Sequence, residues 1–206
     1  MQQLIRHSGL ALILAGLFLV ISSVVFTPFV DFQAAYADTL TSAAFMYRMA
    51  FATLSVACLL FGSVGLFLQH DGIVRARRWR TAAFFWVFFG TACMFANEFH
   101  HLFVLPDLAG IIPQAMNQYD ASDHFGRFLA SGLLAILGFG VGWLVYMLAL
   151  LFSGYLQKTG PLWVISGMLL VPLLSGLLSP MWGGAIGSLA MGVGFCWLGG
   201  ELLKAD

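Results

Sequence analysis

A chain of 206 residues with nine basic and nine acidic side chains carries no formal net charge, and 61% of it is hydrophobic against 9% charged. Soluble domains usually carry about 25% charged residues, so this composition excludes a water-covered globule and makes lipid the expected solvent. There is no basic tail and no interleaving of aromatic with basic residues, which excludes nucleic acid as a partner. Cys58, Cys93 and Cys196 all lie inside apolar runs and none forms a C-x-x-C pair. They are expected to be small buried hydrophobes, without a disulfide framework or zinc ribbon.

A helix needs about 20 mostly apolar residues to cross the hydrocarbon. Six stretches qualify in chain order: 9–30, 44–69, 81–103, 126–152, 161–178 and 182–202. They are continuous apolar runs without two-residue alternation, which predicts an all-α, polytopic transmembrane bundle of six spans in one membrane domain and not a β-barrel. Residues 31–43 read as a polar loop free of Lys and Arg, and residues 70–80 as a short basic loop. Residues 104–125 read as the longest loop, holding three of the nine acidic groups, residues 153–160 as a short connection with Lys158, and residues 179–181 as a tight turn at Pro180.

Basic residues set the orientation. With the N-terminus inside, Arg6, Arg75, Arg77, Arg78, Arg80, Lys158 and Lys204 are cytoplasmic, and only Arg48 and Arg127 lie on the other side. Both termini are therefore expected in the cytoplasm and the protein in the plasma (inner) membrane. The RARRWR cluster then acts as a stop-transfer signal, in competition with lipid-specific binding. A rival reading takes Arg6, the first apolar run and Ala35-Tyr36-Ala37 as a signal peptide with its cleavage site. That run is about 20 residues, longer than the about 7–15 of signal h-regions.

The last span carries Gly184, Ser188, Gly192, Cys196 and Gly200 at four-residue intervals, and span four carries Gly138 and Gly142. In lipid, such small-residue stripes let backbones approach, so helix–helix seams within the chain are expected, with a homodimer seam as the alternative. Gly138-Phe139-Gly140-Val141-Gly142 lies mid-span, where no phosphate would sit. Pro172 is expected to kink span five. Trp79, Trp163 and Trp182 fit interfacial anchors, whereas Trp86 and Trp143 fit interior packing.

Polar chemistry concentrates around the third and fourth spans. Glu98 and His101 share a helix face at i, i+3, as do Asn97 and His101 at i, i+4. Beyond the loop with Asp107, Asp120 and His124 are i, i+4, and so are Asp123 and Arg127. Carboxylates and imidazoles converging in threes or fours suit a divalent metal ion, and Glu98, His101, Asp120 and His124 form the expected ligand set. His100 points about 100° from His101 on an ideal helix. It joins Arg48, Asn97, Asp123 and Arg127 as a candidate ligand-binding group. The plainer readings are helix caps at Asp120, Ser122 or Asp123, an Asp123–Arg127 ion pair, and solvated headgroup-level histidines. Glu98 resists them, because its neighbours Phe95, Phe99 and Phe103 are apolar and a carboxylate there needs a partner or a proton. Arg48 either snorkels outward or pairs with Glu98, Asp31 or Asp38. Without such a partner Glu98 is a candidate proton carrier.

Three functions fit. The first is binding or transport of a cation, proton or small polar ligand at this site, although the chain shows no inverted repeat or paired broken helices. The second is a membrane-embedded, metal-dependent enzyme acting on a lipid or quinone at the outer leaflet. The third is an accessory subunit of a larger membrane complex, with a membrane protein partner or a homo-oligomer. No Walker, G-x-S-x-G, H-E-x-x-H or haem-attachment motif is present.

Overall fold

The computed structural model describes residues 1–69, 77–121, 126–154 and 157–204, with the backbone alone at residues 77, 119–121 and 126–131. Among them the secondary structure is entirely helical. Helix α1 (Gln2–Val20) continues through a π-helical turn (Ile21–Phe26) and a 3-10 turn (Thr27–Phe29). Short α2 (Tyr36–Thr41) precedes α3 (Ala43–Gln69). Next, α4 (Arg77–Phe99) runs through a second π turn (His100–Val104) into α5 (Leu105–Ile111), followed by α6 (Pro113–Ala121). Helices α7 (Gly126–Ser153), α8 (Thr159–Leu177) and α9 (Pro180–Lys204) complete the chain.

Among the described residues six helical segments are long and apolar enough to cross a membrane: Gln2–Phe29, Ala43–Gln69, Arg78–Ile111, Gly132–Ser153, Thr159–Leu177 and Pro180–Lys204. Helices satisfy their own backbone groups, which hydrocarbon demands. The expected loop 31–43 contains α2, and the expected loop 104–125 is largely α5 and α6, with residues 122–125 outside the described residues. These short helices were not legible because their stability comes from packing. Val30, Ala37, Leu40, Phe45, Met49, Leu105, Ala109 and Met116 form a second apolar core that clamps them over one end of the bundle. The Asn117 side chain also caps α2, its Oδ1 accepting the Ala37 N–H at 2.8 Å. Helix α8 continues through Pro172.

The spans close into a ring. Helix α1 packs on α3, α3 on α4, α4 on α7, α7 on α8, α8 on α9, and α9 back on α1. The main core fills its interior with Leu12, Leu59, Trp143, Tyr146, Met147, Leu150, Phe195 and Leu198. Glycines set the closest approaches. A Cβ on Gly16 would lie 2.5 Å from the Gly192 carbonyl oxygen, and one on Gly9 2.8 Å from that of Gly199. The expected stripe on α9 is thus only partly a seam. Gly192 meets α1 and the Cys196 thiol reaches the Ile13 carbonyl at 3.6 Å, whereas Gly184 and Gly200 face open space. On the neighbouring face Gly187 meets Gly167 and Gly194 meets Val164, so α9 carries two seams, one toward α1 and one toward α8. Gly138 sits against Gly90, within helix α7 and joining it to α4.

Ser55, Thr91 and Trp143, buried inside the bundle, spend their hydrogen bonds on neighbouring helices or on their own. Ser55 Oγ donates to the Ala15 carbonyl at 2.8 Å, tying α3 to α1. Trp143 is fully buried, as its packing role requires, and its Nε1 donates at 3.0 Å to Thr91 Oγ1, which donates to the Val87 carbonyl at 2.6 Å. Trp143→Phe keeps the ring's edge-on contact with Phe195 but leaves Thr91 without its donor. The expected loss is about 1 kcal/mol, measured as thermal stability in detergent. Trp86, by contrast, is 52% exposed, and packs with its Cδ1 edge beside Gly142 of α7. Arg80 also departs from expectation. It is 1% exposed and interacts electrostatically with buried Tyr146, so one member of the basic cluster folds into the bundle instead of staying in solvent.

Candidate functional site

Glu98 lies twenty positions after Arg78, or ~30 Å of α-helix, about one hydrocarbon thickness, so it approaches one membrane boundary if Arg78 marks the other. Helix α4 continues past that boundary, and its register changes at the π turn His100–Val104. Such turns insert one extra residue per turn and are frequent at functional sites. The π turn Ile21–Phe26 of α1 lies at the same end of the bundle, and both pack against α3.

Arg48 of α3 sits between them and points inward. Its Nε donates to Thr27 Oγ1 at 3.0 Å and its Nη1 approaches Met49 Sδ at 3.4 Å. Ser22 Oγ, within the α1 π turn, donates to the Arg48 carbonyl at 2.8 Å. These contacts hold the guanidinium in place and replace the snorkelling alternative. Its charged counterpart is Glu98, which interacts with it electrostatically and is 8% exposed. Asp31, another expected partner, accepts the Gln33 N–H at 2.9 Å.

Arg48 and Glu98 face one cavity of about 240 Å³, lined also by Asn97, His101, Tyr36, Leu40, Phe45 and Met49. That is far more than the ~10–15 Å³ one water needs. His101 Nδ1 donates to the Asn97 carbonyl at 2.8 Å, since a carbonyl can only accept. In the neutral ring Nε2 is then the lone-pair nitrogen, the arrangement that orients imidazole ligands. The cavity therefore presents a guanidinium, a carboxylate, an amide and an imidazole from two adjacent spans, with a phenol from the overlying α2.

Of the sequence-derived candidates, the fold gathers Arg48, Asn97, Glu98 and His101. His100 stacks edge-on against His101 with ring centroids 6.1 Å apart and does not line this cavity. The side chains of Asp120, Asp123, His124 and Arg127 lie outside the described residues. Among the described residues no group of three or more His, Cys, Asp and Glu side chains is placed to hold a metal ion. Sequence reasoning missed Tyr36, Ser22 and Thr27. Tyr36 reaches the cavity only through α2, and the two hydroxyls sit in an apolar run whose π turn has no sequence signature.

A second cavity, of about 490 Å³, lies on the other side of Arg48. Ser23, Thr27, Phe32 and Gln33 line it from one side, and Ser179, Pro180, Met181, Gly184 and Ala185 from the start of α9. A comparison of this chain with protein-family models, with curated proteins and with solved structures finds no match to any of them.

Proposed function

We propose that this chain is a multi-pass protein of the plasma (inner) membrane, with both termini cytoplasmic, that binds a small polar ligand in the Arg48–Glu98 cavity at its non-cytoplasmic end. The orientation rests on the Lys and Arg distribution. The binding role rests on one observation: opposite charges from neighbouring spans line a single cavity beside an amide and an imidazole. Ionisable groups at membrane depth are costly to retain and mark ligand or ion pathways. Paired charges suit a ligand bearing both an anionic and a cationic group, and transport of that ligand extends the same reading. A divalent metal at Glu98 and His101 needs further ligands, for which Asp120 and His124 are the candidates.

The test is thermal stabilisation of the reconstituted protein by a panel of amino acids, small carboxylates, polyamines and divalent cations. A true ligand at 100 times its Kd stabilises by about 2.7 kcal/mol. At least one zwitterionic compound is expected to raise the Tm of the wild type and not that of Glu98→Gln or Arg48→Gln. A panel in which nothing distinguishes wild type from Glu98→Gln refutes the binding role. A response to divalent cations alone, lost in His101→Ala, replaces the polar ligand with a metal.

A further inference from the structure

The larger cavity has a different electrical character from the Glu98 pocket. Among the described residues Arg48 is the one charged side chain in its lining, and no carboxylate joins it. Ser23, Thr27, Gln33 and Ser179 add neutral hydrogen-bonding groups, while Phe32, Pro180, Met181 and Ala185 add apolar wall. Its volume of about 490 Å³ falls within the ~300–1,000 Å³ of small-molecule sites. Arg48 reaches it fixed by Thr27, and a pre-positioned guanidinium recognises oxyanions through its planar fork. Ser179 Oγ accepts the Trp182 N–H at 3.3 Å, so the first turn of α9 starts at the cavity rim and adds to the positive potential there.

We infer that this cavity binds an oxyanion carrying an apolar substituent, a phosphate group on an amphiphile of net negative charge, with the phosphate at Arg48 and the apolar part along Phe32, Met181 and Ala185. The site does not depend on the Glu98 pocket, which shares only Arg48 with it. A membrane lipid's headgroup and a free phosphate are the two sources of this chemistry.

Gly184 allows the test, because it lines the cavity and a Cβ there meets open space. The full-length protein in phosphatidylcholine nanodiscs is titrated with phosphatidylglycerol and, separately, with inorganic phosphate, with bound lipid counted by native mass spectrometry. Wild type is expected to retain one phosphatidylglycerol in preference to phosphatidylcholine. Gly184→Leu and Ala185→Leu, which fill the cavity from two positions, are each expected to weaken that retention at least tenfold, as is Arg48→Gln. Gly184→Ala, the fold control, stays within twofold. Glu98→Gln holds the lipid as tightly or more so, since removing a carboxylate raises the potential at Arg48. Displacement by inorganic phosphate makes the free anion the ligand, and phosphate without effect makes it the lipid. Unchanged retention in either leucine variant, or no preference over phosphatidylcholine together with no phosphate binding, overturns the inference. Loss of retention in Glu98→Gln does so too. Failure of the Glu98 ligand panel with lipid retention intact refutes only the polar-ligand role.

Discussion

Arg48→Leu is expected to cost about 3 kcal/mol of stability, the usual scale for removing one member of a buried charge pair. The substitution removes three things together. Glu98 loses its charged counterpart while it remains 8% exposed. Thr27 Oγ1 loses its donor, and the hydrogen-bonded link between α3 and the irregular end of α1 is reduced to the Ser22 bond to the residue-48 carbonyl, beside the stacking of Phe26 on Tyr47 and Phe51. The double variant Arg48→Leu with Glu98→Gln separates these contributions. It removes the stranded charge and should recover more than half of the loss, leaving the Thr27 contribution unrecovered. Thermal unfolding of the single and double variants in one detergent measures both. Equal loss in the single and double variants would show that Glu98 does not depend on Arg48.

Gly16→Leu is expected to be at least as damaging, at about 3 kcal/mol or more. Its first side-chain atom would sit 2.5 Å from the Gly192 carbonyl oxygen and 2.9 Å from Cys196 Sγ. The carbonyl belongs to a helix backbone and cannot rotate away, so α1 and α9 must separate along the seam. In lipid, where helix association depends on close packing and not on water exclusion, such a gap forfeits contacts along the whole interface. Gly184→Ala on the same helix α9 meets open space and should change Tm by no more than a degree or two, so the contrast tests position and not glycine content. The measurement is again thermal stability in a common detergent, supported by the yield of monodisperse protein.

The six spans were legible because an uninterrupted apolar run has one low-energy solution in lipid, a helix. What followed those runs was not legible. Helices α2, α5 and α6 are short and owe their existence to Leu40, Leu105 and Met116 packing across chain-distant segments. Half of the site was readable. Asn97, Glu98 and His101 share a face by helical spacing, and Arg48 stood out as a lone charge in an apolar run. The hydroxyls that aim Arg48 were not readable, because the π turn that presents Ser22 arises from packing against α3. The burial of Arg80 was missed for a related reason: charge-counting rules place basic residues by sequence proximity to a span end, whereas its surroundings include Tyr146, far along the chain. Small residues on α9 announced a seam, but their spacing did not say that Gly184 would face a cavity and Gly187 a neighbour.

Because the ring is closed by the contact of α1 with α9, two helices far apart along the chain are each other's partners. The face of α1 at Gly9 that accepts Gly199 is made before α9, which fills it in the folded chain. As the chain is made, α1 must therefore hold this face unfilled while α3, α4, α7 and α8 insert, and α9 closes the ring when it arrives. The wall that Pro180–Ala185 gives the larger cavity is made at that same final step, so the chamber cannot be complete before the bundle is.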